Sequence, residues 1–368
     1  MLILHVINNL NKGGAERLLV DNLPLYKSAE INVEVLQLSK QNSEPTYLEL
    51  LQANGVKCHH LSSGILYNPL LIFKIVSFLT KNKFDIVHVH LFPALYWIAV
   101  ASWFLPKKPK LIFTEHSTQN KRSKNSLLRP IERVIYGSYD HVVAISEQIR
   151  LKLNSWTQTP AKIELIRNGV NTKKFTDATS YDDNYFNEFF SIQKNSVKLL
   201  MTARFSYPKD HVSLVKAVSL LPENYYLILV GEGPNRQKVE ELSRELGLSG
   251  RIVFAGFRND VPSLMKSVDF NILSTEYEGM SGVSLEALAS GTPFLGSDVA
   301  GVNDLVPDER YLFPAGSANE IAKKIQSIMN SPGMSESMRK DGLEHARNFD
   351  ISIHIRKHRA LYFGIINS

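Results

Sequence analysis

The 368-residue sequence predicts an α/β protein made of two doubly wound, Rossmann-like domains facing each other across a cleft. Three observations lead there. The length exceeds what one hydrophobic core fills, so two domains of roughly 150 to 200 residues are expected. In both halves, short continuous apolar runs alternate with helical stretches, the pattern of a parallel sheet covered by helices on both faces. Between the halves, residues 171–196 break that alternation with clustered Asp, Asn, Ser and Thr and with Tyr181, Tyr185, Phe186, Phe189 and Phe190.

Strands are expected at Leu2–Ile7, Val33–Leu38, Val56–Leu61, Asp85–His90, Leu111–Thr114 and Val142–Ile145. The first helix begins near Ala15, where Leu18, Leu19 and Leu23 follow the 3.6-residue period. Further helical segments lie near Tyr47–Ala53, Pro69–Thr80, Pro93–Phe104, Leu127–Tyr136 and Glu147–Asn154. The alternation resumes with strands at Lys198–Thr202, Tyr226–Val230, Ile252–Ala255, Phe270–Leu273 and Phe294–Gly296. A last helix over Ile351–Ile366 has no strand after it and is expected to pack back across the junction. The resulting division is a first domain at 1–170, an interdomain linker at 171–196, a second domain at 197–350 and a crossing helix at 351–368.

Composition removes several classes. At 44% hydrophobic and 21% charged residues the chain is neither disordered nor fibrous. The single cysteine, Cys58, excludes an intrachain disulfide and a multi-cysteine zinc site, fits a reducing cytosol and reads as a small buried apolar residue. The start, Met1-Leu2-Ile3-Leu4-His5, reads as a strand and not as a signal peptide. No apolar run reaches the roughly 18 residues of a membrane span. The longest, Leu95–Leu105, carries Trp97 and Trp103 and precedes Lys107, Lys108 and Lys110; it reads as a buried helix, with an anionic membrane surface as the competing environment. The net charge of +6 is uneven. Residues 1–170 hold 20 Lys and Arg against 12 Asp and Glu, and the rest hold 22 against 24, so the first half is expected to meet something anionic.

Ligands of doubly wound sheets bind beyond the carboxyl ends of the strands, so residues there carry the functional reading. After the first strand come Asn11-Lys12-Gly13-Gly14-Ala15-Glu16, where paired glycines ahead of a helix serve either a tight turn or the approach of an anion to unobstructed N–H groups. After the fifth come Thr114-Glu115-His116-Ser117, where His116 is suited to orient or deprotonate a hydroxyl. His88 and His90 are read as alternating between strand faces, so that at most one reaches a given site and no metal pair forms on that strand; packing is the expected role of His88.

In the second half, the first strand runs into Ala203-Arg204-Phe205-Ser206-Tyr207-Pro208-Lys209. Arg204 offers a fork for a phosphate and Lys209 a compact charge, a pair suited to a pyrophosphate leaving group. The sharpest signal is Glu278-Gly279-Met280-Ser281-Gly282-Val283-Ser284-Leu285-Glu286. Its glycines open the backbone at a helix start, Glu278 precedes the helix, and Glu286, one turn in, can accept two ribose hydroxyls. Gly231-Glu232-Gly233 lacks the third glycine of a dinucleotide fingerprint, Arg236 standing there, which disfavours a dehydrogenase. The scattered cations of the first half fit no nucleic-acid-binding module.

Taken in order, these motifs resemble the family four retaining glycosyltransferases of the GT-B fold. Ile166-Arg167-Asn168-Gly169-Val170, Val230-Gly231-Glu232-Gly233-Pro234, Ala255-Gly256 and Gly291-Thr292-Pro293 complete a likeness running through nearly the whole chain. The resemblance implies a transferase moving a sugar from a nucleotide diphosphate donor, a UDP-sugar by expectation, to a saccharide or lipid-linked saccharide, with no divalent metal or other cofactor. It implies that Glu286 binds the ribose, Glu278 the sugar, and Arg204 with Lys209 the diphosphate. Gly13, Gly14, Gly231, Gly279, Met280, Ser281, Gly282 and Val283 fall on the donor by the same likeness, Glu16, Asn11 and His116 on the acceptor, and His116 lies beside the reacting centre. Ala203 replaces the glycine many relatives carry before the arginine, and Met280-Ser281 departs from their sugar pocket. Competing readings within the fold are a sugar-nucleotide epimerase, a phosphorylase and a non-catalytic sugar-nucleotide-binding subunit. The expected location is cytoplasmic, peripheral on the inner face of the cell membrane through the first domain, in bacterial surface polysaccharide synthesis.

Overall fold

The computed structural model describes residues 1–11, 13–116, 125–158 and 162–367, which form two compact units. The first comprises Met1–Asn168 and the chain from Ser352 onward; the second is Gly169–Ile351. Lys12 and Ser117, quoted in the motifs above, lie outside the described residues.

The first unit is a seven-stranded parallel sheet of β1 (Leu2–Ile7), β2 (Asn32–Gln37), β3 (Lys57–His60), β4 (Ile86–His90), β5 (Lys110–Glu115), β6 (His141–Ala144) and β7 (Lys162–Leu165). The strand order is β3-β2-β1-β4-β5-β6-β7. The centre of this sheet is buried on both faces, which is why β1 and β4 are solid apolar runs interrupted only by histidine. Helix α1 (Gly14–Tyr26) follows β1 and buries Leu19, Val20, Leu23 and Tyr26. Helices α2 (Pro45–Ala53), α3 (Leu71–Lys81), α4 (Ala94–Ser102), α5 (Arg129–Gly137) and α6 (Glu147–Thr157) complete the crossovers. Strand β7 was not expected: its four residues, Lys-Ile-Glu-Leu, alternate in burial at a sheet edge and lack the apolar run of the central strands.

The second unit contains α7 (Thr172–Thr176) and α8 (Asp183–Phe190), then β8 (Val197–Thr202), α9 (His211–Ser219), β9 (Tyr225–Val230), α10 (Arg236–Glu245), β10 (Ile252–Gly256), α11 (Val261–Ser267), β11 (Phe270–Leu273), α12 (Gly282–Ala289), β12 (Phe294–Ser297) and β13 (Leu312–Phe313). Its six parallel strands run β10-β9-β8-β11-β12-β13. Helices α13 (Ala318–Met329) and α14 (Met334–Arg347) follow.

Residues 171–196, expected as a linker, are part of this second unit. Phe175, Phe186 and Ile192 are buried in its core, and Tyr181 stacks on Tyr185 at 3.7 Å while both hydroxyls meet Asp260. The polar clustering that suggested a linker supplies helix caps instead: Asn171 and Asp182 accept from the amides of Lys174 and Tyr185.

The last helix, α15 (Ile351–Ile366), belongs to the first unit from Ser352 on. Its buried face carries His354, His358 and Tyr362. The run Leu95–Leu105 divides. Most of α4 is buried, but Trp103 and Phe104 beyond its end are 53% and 64% exposed. Cys58 is half-buried rather than fully so, and burial still pushes its thiol up to about 11. Among the described residues no helix is long and apolar enough to cross a membrane.

Candidate functional site

Both sheets reverse their strand order at one place, between β1 and β4 in the first unit and between β8 and β11 in the second. Loops leaving such neighbouring strands diverge to opposite sides and open a crevice at the carboxyl edge. The predicted groups of each unit gather at these two places.

In the second unit the loop after β8 is tied to the loop after β11. Lys209 and Thr275 form an isolated antiparallel bridge, the Asp210 amide donates to the Ser274 carbonyl at 2.9 Å, and the Glu276 amide donates to the Pro208 carbonyl at 2.9 Å. The Lys209 ammonium pairs with the Glu278 carboxylate, both side chains being less than one-fifth exposed. The sequence suggested separate tasks for the two; the structure joins them. An ammonium carries three N–H donors, so one is spent on Glu278 and the others remain for a ligand.

Asp210 caps α9 by accepting from the Ser213 amide at 2.9 Å, and His211 stacks on Phe205 with ring centroids 4.1 Å apart. These contacts fix the loop that carries Arg204, whose side chain is exposed and forms no ion pair among the described residues. Gly231 has a packing reason: at φ 140° it lets the Ala203 carbonyl pass where a Cβ would stand only 2.1 Å away. Ala203 keeps its own amide on the Val230 carbonyl at 2.9 Å, so its methyl group fits without breaking the ladder.

Glu278 through Ser281 are held from outside by Gly301. The Glu278 amide donates to the Ala300 carbonyl at 3.2 Å and the Ser281 amide to the Gly301 carbonyl at 2.9 Å. A side chain at Gly301 would stand 2.6 Å from the Glu278 carbonyl oxygen, in a backbone conformation with φ 77°. Ser281 caps α12, accepting from the Ser284 amide at 3.3 Å, and a Cβ on Gly282 would meet nothing within 4 Å. Gly279, Met280 and Val283 are half-buried around this turn. Glu286 is half-buried on α12 between the buried Leu285 and Ala287.

In the first unit Gly13 is the extended N-cap of α1 and contributes no side-chain cap. Glu16 folds back over this end: its carboxylate accepts from its own amide, and a Cβ on Gly13 would stand 2.2 Å from it. Burial holds the Glu16 carboxyl above its ordinary value, and that hydrogen bond partly offsets it. Gly14 is exposed, with nothing within 4 Å of where a Cβ would be, so an anion's approach to this helix end is open there. Asn11 is exposed in the same loop, its carbonyl accepting from the Gly13 amide at 2.8 Å.

His116 ends a row of histidines. His5 Nδ1 lies 3.1 Å from His90 Nε2, and His90 Nδ1 lies 3.2 Å from His116 Nε2. The expectation that His88 and His90 face opposite ways is wrong: residues two apart share a strand face, and their rings stack at 4.4 Å. His88 is closed off by the Tyr362 hydroxyl at 2.8 Å and Thr114 Oγ1 at 2.7 Å. His5, His88 and His90 bring ring nitrogens within 4.8 Å of one another, a spacing that invites a metal, although all but one of these nitrogens are already hydrogen-bonded. Burial holds His116 down to about 4 and His5 to about 3, and keeps His88, His90 and His358 neutral as well. A cavity of about 20 Å³, the size of one water, lies among His5, Asn22, His90, His116 and His354. Sequence reasoning left His90 open as the one of its pair that could reach a site and did not single out His5; the signal for both was histidine inside otherwise apolar strands.

Known proteins share this organisation. A family profile described as Glycosyltransferase Family 4 matches residues 12–174, and one described as Glycosyl transferases group 1 matches residues 184–345. An uncharacterized glycosyltransferase of Methanocaldococcus jannaschii is 25% identical over 278 residues, 72% of this chain and 70% of that one. The N-acetylgalactosamine-N,N'-diacetylbacillosaminyl-diphospho-undecaprenol 4-alpha-N-acetylgalactosaminyltransferase of Campylobacter jejuni is 23% identical over 94% of each chain. Among solved structures, Anabaena HepE in complex with UDP and glucose aligns with a TM-score of 0.84 at 20% identity, over 98% of this chain and 99% of that one. WaaG, a glycosyltransferase involved in lipopolysaccharide biosynthesis, aligns with a TM-score of 0.75 at 16% identity over 99% of this chain and 100% of that one. At these identities the structures are a likeness of fold.

Proposed function

Because the chain belongs to the family four glycosyltransferases and has their GT-B fold, we propose that it transfers a sugar, with retained anomeric configuration, from a UDP-sugar to a saccharide or lipid-linked saccharide. The observation that carries this reading is the Lys209–Glu278 pair at the strand-order reversal of the second unit, flanked by the exposed Arg204 and the capped start of α12. A diphosphate beside Arg204 and Lys209 has its growing negative charge met by a guanidinium fork and an ammonium, the task a divalent cation performs elsewhere. Glu278, anchored by Lys209, accepts from hydroxyls of the transferred sugar, and Glu286 from the ribose. The bond from the anomeric carbon to the diphosphate oxygen breaks as the acceptor oxygen bonds to that carbon on the same face, and the acceptor proton passes to the departing phosphate oxygen.

UDP in the HepE structure and the undecaprenol-linked substrate in the name of the Campylobacter relative support the choice of donor and acceptor class. Synthesis of a bacterial surface polysaccharide on a lipid carrier at the inner face of the membrane is the role we assign. An exposed apolar face in the first unit supports it. Leu127, Ile131 and Val134 are 83%, 50% and 57% exposed, and Trp103, whose indole donates to Ser138 Oγ at the end of α5, continues the face. Lys107, Lys108 and Arg133 are exposed nearby in the sequence and supply cations for anionic headgroups.

Titration calorimetry with UDP and a product assay with UDP-sugars test the reading. Removing one group that stabilises the leaving charge costs on the order of a hundredfold in rate. Arg204→Ala is therefore expected to lose at least that much, and Glu286→Ala, which removes the acceptor for the ribose hydroxyls, to lose transfer chiefly through weakened donor binding, with the thermal transition unchanged in both; EDTA is expected to leave the wild-type rate intact. Near-normal transfer by both variants removes the assignment.

A further inference from the structure

The row His5–His90–His116 runs from the middle of β1, across the end of β4, to the residue that follows β5. Its chemistry follows from proton counting. A neutral imidazole has one N–H and one lone pair. His90 bonds to histidine at both nitrogens, so it donates to one neighbour and accepts from the other, and the row is polarised in a single direction. Two directions exist. In one, His5 Nδ1–H donates to His90 Nε2 and His90 Nδ1–H donates to His116 Nε2. In the other every bond is reversed, and His5 carries its proton on Nε2.

His5 Nε2 decides between them. His5 is 1% exposed, and this nitrogen has no hydrogen-bond partner among the described residues. The first direction leaves a bare lone pair there; the second buries an unpartnered N–H, the rarer and costlier orphan in folded proteins. The groups packed around the row do not force the second direction. Tyr26 bonds to His354, His354 Nδ1 to the Arg167 carbonyl, His88 to Tyr362 and Thr114, and Glu115 receives the Tyr136 hydroxyl.

We propose that the buried His5–His90 pair fixes the tautomer of His116, placing its proton on Nδ1, so that His116 acts as a hydrogen-bond donor to substrate oxygen and not as the base that takes the acceptor proton. His5 and His90 are then positioning residues. The inference rests on the proposed place of His116 beside the reacting centre and narrows its role from two to one. It agrees with a transfer in which the departing phosphate oxygen receives the proton.

The test is long-range proton–nitrogen correlation on the full chain labelled with nitrogen-15 histidine, in which Nδ1–H and Nε2–H tautomers have distinct patterns. His116→Asn and His90→Gln assign the signals. The expected result is the Nδ1–H form at His5, His90 and His116. An Nε2–H form at His90 or His116, as a water accepting from His5 in the small cavity would produce, overturns the proposal. So does a shift of the His5 and His90 signals on adding one equivalent of zinc, which would make the cluster a metal site. In the transfer assay His90→Phe is expected to lower kcat between about ten- and a hundredfold with the donor KM unchanged, while His90→Gln, whose amide both accepts and donates, recovers most of it. Equal losses in both overturn the positioning role. His116→Ala separates the two claims: full activity there ends the reading of His116 at the reacting centre and leaves the measured tautomers standing.

Discussion

At the scale of single residues, glycines separate folding from ligand approach. Gly231 and Gly14 both precede or open helices in loops assigned to the donor, yet they differ in surroundings. A methyl group at Gly231 meets a backbone carbonyl in a conformation that L residues rarely adopt, so Gly231→Ala is expected to destabilise the fold by about 2 kcal/mol or more. Gly14 faces open space at the first position of α1, where alanine is the better helix former. Gly14→Ala is therefore expected to leave the melting temperature unchanged and to raise the donor KM about tenfold if phosphate or sugar approaches that backbone. Calorimetry with steady-state kinetics checks both, and unchanged kinetics in Gly14→Ala remove that loop from the donor site.

Among elements, α5 shows how a pattern legible in the sequence acquires meaning from its neighbours. Ile131 and Val134 stand three apart on one exposed strip of α5, beside the buried Glu132, Ile135 and Tyr136, and the exposed Leu127 lies in the short 3-10 turn that leads into the helix. The end of α4 is fastened to the end of α5, since the Trp103 indole and the Lys108 ammonium both donate to Ser138, at 3.0 and 2.7 Å. One apolar, cation-bordered surface results. Wild-type protein is expected to float with anionic liposomes at low salt, and Ile131→Glu with Val134→Glu to abolish flotation while transfer to a soluble acceptor persists. Failure of the wild type to float would leave this surface without its proposed occupant.

For the whole molecule, charge burial is lopsided. His5, His88, His90, His116, His354 and His358 all sit in the first unit with proton affinities lowered chiefly by burial, His5 to about 3 and His116 and His354 to about 4, whereas His211 in the second is held to about 4. The unfolded chain titrates these groups near 6.5, so below that pH it binds protons that the folded chain refuses. Stability is fully present above about 6.5 and falls as pH drops toward 4, because the unfolded chain takes up the protons that the buried histidines refuse. Scanning calorimetry between pH 7 and 4.5 is expected to show the first unit's transition falling faster than the second's; parallel declines would mean that the row is hydrated and protonated in the folded state.

The alternation of strands and helices, the start of α1, the span of α15, the loops bearing Arg204, Lys209 and Glu278 and the helix start before Glu286 were readable because apolar period, helix caps and glycine act over a few residues. Family membership followed from the same motifs in order. Tertiary structure alone decided that Lys209 meets Glu278, 69 residues away, and that His5 meets His90, 85 residues away. It also decided that the aromatics of 171–196 enter a core, and that β7 and the short β13 add to sheet edges. Strand order and register bring distant residues together, and no local pattern in the chain encodes which parallel strand becomes the neighbour of which.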